Sequence, residues 1–229
     1  MIKFNSLQDE IDFFSPSDEL KVRVDTFLDE KVIIIDNFYR NPEKIRELAL
    51  SIPGTRSPGI LHGLPGCRVE ATYHFAHLGY IFDEIIAKVY PEETKNIAPG
   101  VIHACIDRAS FLVNVQNSQV PPRVPHIDNE NSYRFAAGIY LNTPDECAGG
   151  TSFYTYKGNK TISFDNAAAE LQGIDYYVQD DTKDFKKMYL AEMKFNRLVL
   201  YRQNILHTPY IPHNTFTDEN PRLIQMFFI

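Results

Sequence analysis

The stretch PRVPHIDNEN, residues 122 to 131, sets His126 and Asp128 two positions apart, just beyond a run with the character of a β-strand. Side chains two apart on an extended backbone point to the same side. His126 and Asp128 can therefore converge on one ion while Ile127 faces away. The spacing alone decides nothing, since about half an accidental His-x-Asp is expected in a chain of this length and composition. Context decides: a strand end carrying the pair, a third ligand on a distant strand, and a nearby group able to hold an anionic cosubstrate. Without these the two residues are a hydrogen-bonded strand pair, and His207 is an unrelated residue at a strand end.

Working outward, the half of the chain after about residue 100 reads as strands: VIHACIDRASFLVNVQN (101–117), YRFAAGIYLN (133–142), GGTSFYTYKG (149–158), FNRLVLYRQNILH (195–207) and RLIQMFFI (222–229). Each is rich in β-branched and aromatic residues and bounded by turn formers. His207 closes the fourth of these runs, so it is the natural third ligand. Two histidines and one carboxylate with open positions left over form the facial triad of non-haem Fe(II) sites. Arg222 opens the last run, where apolar residues would be enough. A charge entering a β-core usually has an anionic partner, because burying it alone is costly. In that strand Arg222, Ile224 and Met226 share one face, and Leu223, Gln225 and Phe227 share the other.

The N-terminal part, about residues 1–99, reads as helical support with the first strands. KVIIIDNFY (31–39) is a buried strand, followed by NPEKIRELALSI (41–52). There Asn41 can cap, Pro42 suits the first turn, Glu43 complements the dipole, and Ile45, Leu48, Ala49 and Ile52 share one face. A second amphipathic helix covers LGYIFDEIIAKVY (78–90) and ends near Pro91. Within the later half, DNAAAELQGIDYY (165–177) and DDTKDFKKMYLAEM (180–193) look helical, predicting an insertion near 165–190. PGTRSPGILHGLPG (53–66), dense in Pro and Gly, is a loop. There is no internal repeat and no low-complexity linker, so the helices read as outer supports of one β-core, in a single domain spanning 1–229.

Composition narrows the partners. A chain of 229 residues with 44% hydrophobic content can bury one substantial core. A formal charge of −7 without a Lys/Arg cluster removes the electrostatic footprint that nucleic acid requires, although an isolated nucleobase stays open. The start MIKFNSLQDEIDFF lacks the pattern of a secretory signal, and no apolar run approaches the ~20 residues of a membrane span. The expectation is a soluble cytoplasmic protein. Cys67, Cys105 and Cys147 lack C-x-x-C spacing and read as reduced, structural thiols.

The ordered set HID, GGTSFY, NRLVLYRQNILH and RLIQMFFI resembles the double-stranded β-helix, the jelly-roll or cupin-like core, of the 2-oxoglutarate- and Fe(II)-dependent oxygenases on their prolyl-hydroxylase-like side. More narrowly, VIIIDNFYRNPEKIRELAL with PGTR, PHID and GGTSFY is similar to a bacterial and phage set of such domains whose substrates are largely unassigned. The resemblance covers about residue 31 to the end. It implies that His126, Asp128 and His207 hold Fe(II), that 2-oxoglutarate chelates the iron, and that Arg222 pairs with its distal carboxylate by a fork-to-carboxylate contact. It further implies consumption of dioxygen, release of succinate and CO2, and hydroxylation of a small-molecule or peptidyl substrate. Asp128 favours hydroxylation over halogenation, since related halogenating enzymes lack this carboxylate and place chloride there. Arg222 lies fifteen residues after His207, further than is usual in that branch, with TPYIPHNTFTDENP between them. Another basic residue, Arg134 or Arg202, therefore stays a candidate for the distal carboxylate.

Weaker candidates have two readings each. Asn114, Gln116 and Tyr140 either hydrogen-bond the 2-oxoglutarate carboxylates or are polar residues satisfied in and around the barrel. Arg134 is either a second anion group or a strand-face charge. Gly149 and Gly150 form a tight turn where the backbone passes close to the core. His62, His74, His77, His103 and His213 lack ligand spacing with any carboxylate and read as surface or satisfied core residues. Two other functional classes keep the β-core: a non-catalytic binding or assembly domain, and a cupin-type metal enzyme that uses no oxoacid. The oligomeric state is not legible.

Overall fold

The computed structural model describes residues 3–52, 67–96, 111–116, 125–128, 134–159, 178–217 and 219–229. Ser6 caps the first helix, α1 (Leu7–Phe13), by accepting from the Asp9 N–H at 3.1 Å. Strands β1 (Lys21–Phe27) and β2 (Glu30–Asp36) form a hairpin whose turn sets Leu28 at φ 51°. Helix α2 (Pro42–Ser51) begins at its proline as the sequence requires, but Asn41 at the N-cap position makes no side-chain cap bond. Strand β3 (Cys67–Ala71), helix α3 (Ala76–Val89) and the single turn α4 (Pro91–Thr94) follow.

The remaining strands are β4 (Phe111–Gln116), β5 (Phe135–Tyr140), β6 (Gly150–Tyr156), β7 (Phe185–Glu192), β8 (Leu198–Arg202), β9 (His207–Tyr210) and β10 (Arg222–Phe228). They make two antiparallel sheets, one of seven strands in the order β1-β2-β8-β5-β10-β4-β3 and one of three in the order β7-β6-β9. The expected combination of mainly antiparallel β-structure with a few helices is what is observed.

Period-two alternation divides the apolar residues of the large sheet between two cores. Ile33, Ile35, Phe135, Ala137, Ile139, Leu198, Leu200, Leu223 and Phe227 face Ile45, Leu48, Ala49 and Ile52 of the α2 segment and Leu78, Phe82 and Ile86 of α3. Their neighbours Val32, Ile34, Ala136, Tyr140, Val199, Tyr201, Ile224 and Met226 face the small sheet, where Phe153 and Ala191 meet them. Strands buried on both faces read as nearly continuous apolar runs, which is why the IIII-like character of β2 and the FAAGIY of β5 carry so little alternation. Buried polar contacts brace the large sheet: the Tyr39 hydroxyl donates to Gln225 Oε1 at 3.0 Å, and Asn196 bonds both the N–H and the carbonyl of Tyr39 at 2.8 Å.

Two expectations are corrected. The segment DDTKDFKKMYLAEM is not helical: residues 180–184 are irregular chain with bends and Phe185–Glu192 is strand β7, paired to β6. Its register with β6 shifts between Phe153 and Tyr154. The shift carries Phe185 to the outer face with Tyr154 and Tyr156, while Tyr189 and Ala191 stay on the inner one. That irregularity blurs the period-two signal and leaves a charge-rich pattern that mimics a helix. The proposed helix over 165–177 and the loop over 53–66 lie outside the described residues. Second, FNRLVLYRQNILH is not one strand: the chain turns after Arg202 and enters the other sheet at His207. Two elements the sequence reading did not name are also present, the helix α1 and the exposed edge strand β1. Among the described residues no helix is long and apolar enough to cross a membrane.

A clamp of charges ties β2 to the segment entering β8. Asp36 accepts from Arg197 Nε at 2.6 Å and Nη2 at 3.0 Å and from Lys194 Nζ at 3.1 Å, while Arg197 Nη1 donates to the Glu192 carbonyl at 2.9 Å. Hydrogen bonding to Arg197 outweighs burial and brings the Asp36 carboxyl from 3.8 down to about 2. A carboxyl depressed in the folded state stabilises the protein above its unfolded value, and that contribution is lost as the pH falls through the folded one. The clamp should therefore contribute about 2 kcal/mol above pH 4 and lose it between pH 4 and 2. In urea unfolding at a series of pH values, Asp36→Asn should be less stable at pH 6 and lose less stability than the parent protein over that window.

Candidate metal centre

The backbone around His126 and His207 explains why two residues so distant in sequence share one site. The N–H of each donates to the carbonyl of the other at 2.8 Å, an antiparallel bridge that places His126 on the edge of β9. On its other side His207 is directly opposite Phe153 of β6. Residues directly opposite in antiparallel pairs project from the same face. Phe153 is buried between the sheets, so all three rings point inward. The His126 and His207 rings stand 4.5 Å apart, centroid to centroid. Ile127 packs outward against the cluster of Tyr154, Tyr156, Phe185 and Leu206. Asp128 then returns inward, its N–H donating to the Gln203 carbonyl at 2.9 Å.

The donor atoms meet. Asp128 Oδ2 lies 3.3 Å from His207 Nε2, and Asp128 Oδ1 lies 3.7 Å from His126 Nε2. One ligand atom from each of the three residues lies within 4.8 Å of the others. Adjacent ligands on an octahedral ion with bonds of about 2.1 Å stand roughly 3 Å apart, so this spacing suits chelation. His207 Nδ1 is 2.9 Å from the Ile205 carbonyl. That carbonyl can only accept, so Nδ1 carries the proton and the Nε2 lone pair faces Asp128, the arrangement that orients metal-binding imidazoles. Burial disfavours charge on His207, but the Asp128 carboxylate and the Ile205 contact together raise its pKa above the ordinary value. The site thus favours positive charge at the position where a cation would bind. The donor set and its orientation fit a divalent ion.

Among the described residues Arg222 is the largest side chain that is fully buried. It shares the inner face with Ile224 and Met226, as its position in the strand requires. Its Nη2 donates to the Gly150 carbonyl at 3.1 Å, and its guanidinium carbon lies 5.4 Å from the centre of the Tyr140 ring. The Tyr140 hydroxyl bonds Thr151 Oγ1 at 2.8 Å. Burial raises its pKa, against the opposing effect of Arg222. Gly149 and Gly150 have φ of 69° and 154°, and an added Cβ would stand 2.1 Å from the carbonyl oxygens of Tyr210 and Ala191 respectively. The glycine pair lets three backbones approach closely and aims the Gly150 carbonyl at Arg222.

The structure brings His126, Asp128 and His207 together and places Tyr140 beside Arg222. Asn114 is in β4 opposite Ile224 of β10, and its side chain lies outside the described residues, as does that of Gln116. The other candidate cations are elsewhere. Arg134 is exposed, and Arg202 is held by Glu30 at 3.1 Å and Glu93 at 3.1 Å. His74 is exposed, His77 is 3.1 Å from the Phe14 carbonyl, and His213 lies in the loop before β10. His62 and His103 are outside the described residues, as is Cys105, while Cys147 is a free thiol. Two residues of this region were not anticipated, Thr151 and Tyr201. Tyr201 packs its ring 4.7 Å from His207 and 5.0 Å from Phe153. The alternation in LVLYR, which puts Val199 and Tyr201 on one face, was the available signal.

The chain belongs to a family of unknown function, DUF6445, whose profile matches residues 18–224. No curated protein matches. Among solved structures, the chain is similar to an N-substituted L-amino acid dioxygenase from Burkholderia ambifaria AMMD, at 12% identity and a TM-score of 0.40 over 86% of this chain and 81% of that one. It is also similar to HygX from Streptomyces hygroscopicus, solved with nickel and 2-oxoglutarate, at 11% identity and a TM-score of 0.40 over the same shares. Likeness this distant does not assign an activity or a ligand to this chain.

Two outcomes are expected. His126→Ala, Asp128→Ala and His207→Ala should each remove most affinity for Mn²⁺ or Fe²⁺, because a three-ligand site has none to spare. Metal titration by calorimetry checks this, and micromolar binding that survives all three changes would dismiss the site. Gly149→Ala should destabilise the protein by at least about 2 kcal/mol in urea unfolding, since both its backbone angle and the Tyr210 carbonyl oppose a Cβ.

Proposed function

We propose that this protein is a non-haem Fe(II)- and 2-oxoglutarate-dependent oxygenase that hydroxylates a small-molecule or peptidyl substrate, on a double-stranded β-helix of the prolyl-hydroxylase-like type. The observation that carries the reading is the convergence of His126, Asp128 and His207 on the inner face of the small sheet, with Arg222 projecting into the same interior from the large one. The sequence resemblance supports it independently. In this reading His126, Asp128 and His207 would hold the ion. Bound there with 2-oxoglutarate, iron supplies a two-electron oxidation in which one atom of dioxygen enters succinate, the other enters the substrate, and CO2 leaves.

The residues of the chain do the positioning. Arg222 pairs with the distal carboxylate of the oxoacid, which fixes both charge and direction. Tyr140 lies against the guanidinium and, held neutral by burial, offers a hydroxyl anchored on Thr151. Phe153, Val199 and Tyr201 line the interior between the sheets and exclude water from it. Asn114 is the remaining candidate for a carboxylate contact.

Succinate and CO2 release that depends on iron, oxygen and 2-oxoglutarate tests the activity and separates it from a binding domain or a metal enzyme without an oxoacid. Arg222→Met should weaken 2-oxoglutarate binding to the Mn²⁺-loaded protein roughly 30-fold to 1000-fold, the loss of a charge-assisted pair in a buried setting. Metal affinity should change little. Unchanged oxoacid affinity in that variant, measured by calorimetry without turnover, would reduce Arg222 to a structural residue.

A further inference from the structure

One edge of the seven-stranded sheet is β1, whose only strand neighbour among the described residues is β2. Phe27 and Glu30 are paired across the two-residue turn of that hairpin. Residues flanking such a turn exchange backbone hydrogen bonds, and bonded and non-bonded pairs then alternate along the ladder. Lys21, Arg23, Asp25 and Phe27 therefore direct their backbone groups at β2, while Val22, Val24 and Thr26 direct theirs at the open edge. A free row of this kind is a template for another strand.

The side chains along this edge carry a pattern of their own. Val22 and Val24 are directly opposite Ile35 and Ile33, so they share the helix-bearing face of the sheet. The helices do not reach them, and they stay 48% and 42% exposed. With Leu28 at the turn they make up three of the six large apolar side chains exposed among the described residues, which concentrates that surface on one hairpin. On the other face of β1, Arg23 Nε lies 3.1 Å from Asp25 with the guanidinium about half exposed, and the Tyr189 hydroxyl donates to Asp25 and fixes its place. Charges on an edge strand ordinarily discourage a second strand. Here the two signs fall two residues apart on one face, which makes the strand complementary to itself.

We propose that the protein forms a two-fold symmetric dimer in which β1 pairs antiparallel with β1 of a second copy, the axis passing at Val24. Val24 then exchanges backbone hydrogen bonds with Val24 of the other copy, and Val22 does so with Thr26 on either side, so every outward group of the strand is used. The valines become a continuous apolar stripe across the junction. Arg23 falls directly opposite Asp25 of the other copy, twice by symmetry, in the non-bonded pairs where facing side chains stand closest. Charge selects this register. Moving the axis to Val22, Arg23 or Asp25 sets Lys21 against Arg23, Arg23 against Arg23 or Asp25 against Asp25, and an axis at Thr26 shortens the ladder at the turn. The large sheets of the two copies would run on as one.

Sedimentation velocity on the full chain tests this. The parent protein should dimerise reversibly in the micromolar range, since one strand ladder buries less than a standard interface. Arg23→Glu and Asp25→Lys should each weaken the dimer at least roughly tenfold, because both cross-strand pairs become like-charged. An equimolar mixture of the two variants should recover it as a heterodimer, every facing pair then being opposite in sign. Val24→Pro removes an N–H that faces the open edge, a place where an edge strand tolerates proline, and should give a monomer with a thermal midpoint close to that of the parent. A parent protein that stays monomeric through the micromolar range would overturn the proposal. So would a dimer that survives both Arg23→Glu and Val24→Pro, or a mixture of the charge variants that fails to associate while the parent does.

Discussion

The reciprocal pair of backbone hydrogen bonds between His126 and His207 is the constraint on which the rest of the site depends. Side chains on a strand alternate between faces, so a slip of one residue in the His126 segment would turn its imidazole outward and bring Ile127 in. The bridge therefore fixes the direction of the donors as well as their proximity. Three further contacts hold the register: Phe153 directly opposite His207, the Asp128 N–H on the Gln203 carbonyl, and Ile127 packed among Tyr154, Tyr156 and Leu206. The turn between β8 and β9 supplies two of the carbonyls involved, those of Gln203 and Ile205, so a single short segment orients both Asp128 and the His207 imidazole.

The placement of arginines follows a second physical division. Arg197 and Arg202 sit at the margins of the large sheet, where Asp36, Glu30 and Glu93 meet them with good geometry. These pairs reinforce the β2–β8 ladder at its ends and tie it to α4. Arg222 is different in kind, because its strand position commits it to the inner face. There the Gly150 carbonyl and the face of Tyr140 receive it. That arrangement depends on the glycine pair, since any side chain at Gly149 or Gly150 would collide with a neighbouring backbone carbonyl. The buried cation and the strained turn are thus two parts of one local solution.

Much of this was legible from residues. The His-x-Asp spacing predicted that Ile127 would face away, and Ile127 does pack on the outer cluster. The alternation in RLIQMFFI put Arg222 with Ile224 and Met226, and those residues line the inter-sheet core. Helices α2 and α3 follow their apolar stripes closely. The misreadings share a cause. In KKMYLAEM the shift in register against β6 breaks the alternation, and in NRLVLYRQNILH two strands from different sheets abut with only a brief turn. Both are decided by pairing with other strands, which leaves little trace in the local pattern.

The sequence by itself determined the residue chemistry: which side chains can ligate, which face of each strand they occupy, and where an arginine enters an apolar run. These follow from covalent identity and from the fixed periods of strand and helix. Only the tertiary structure decided which faces confront one another. It joined His126 to His207 through backbone bonds, set the Nδ1 proton of His207 on the Ile205 carbonyl, and packed the Tyr201 ring against the His207 ring. The reason is that periodicity is local along the chain, whereas the choice of partner strand is made by long-range hydrogen bonding and by the burial of both sheet faces together.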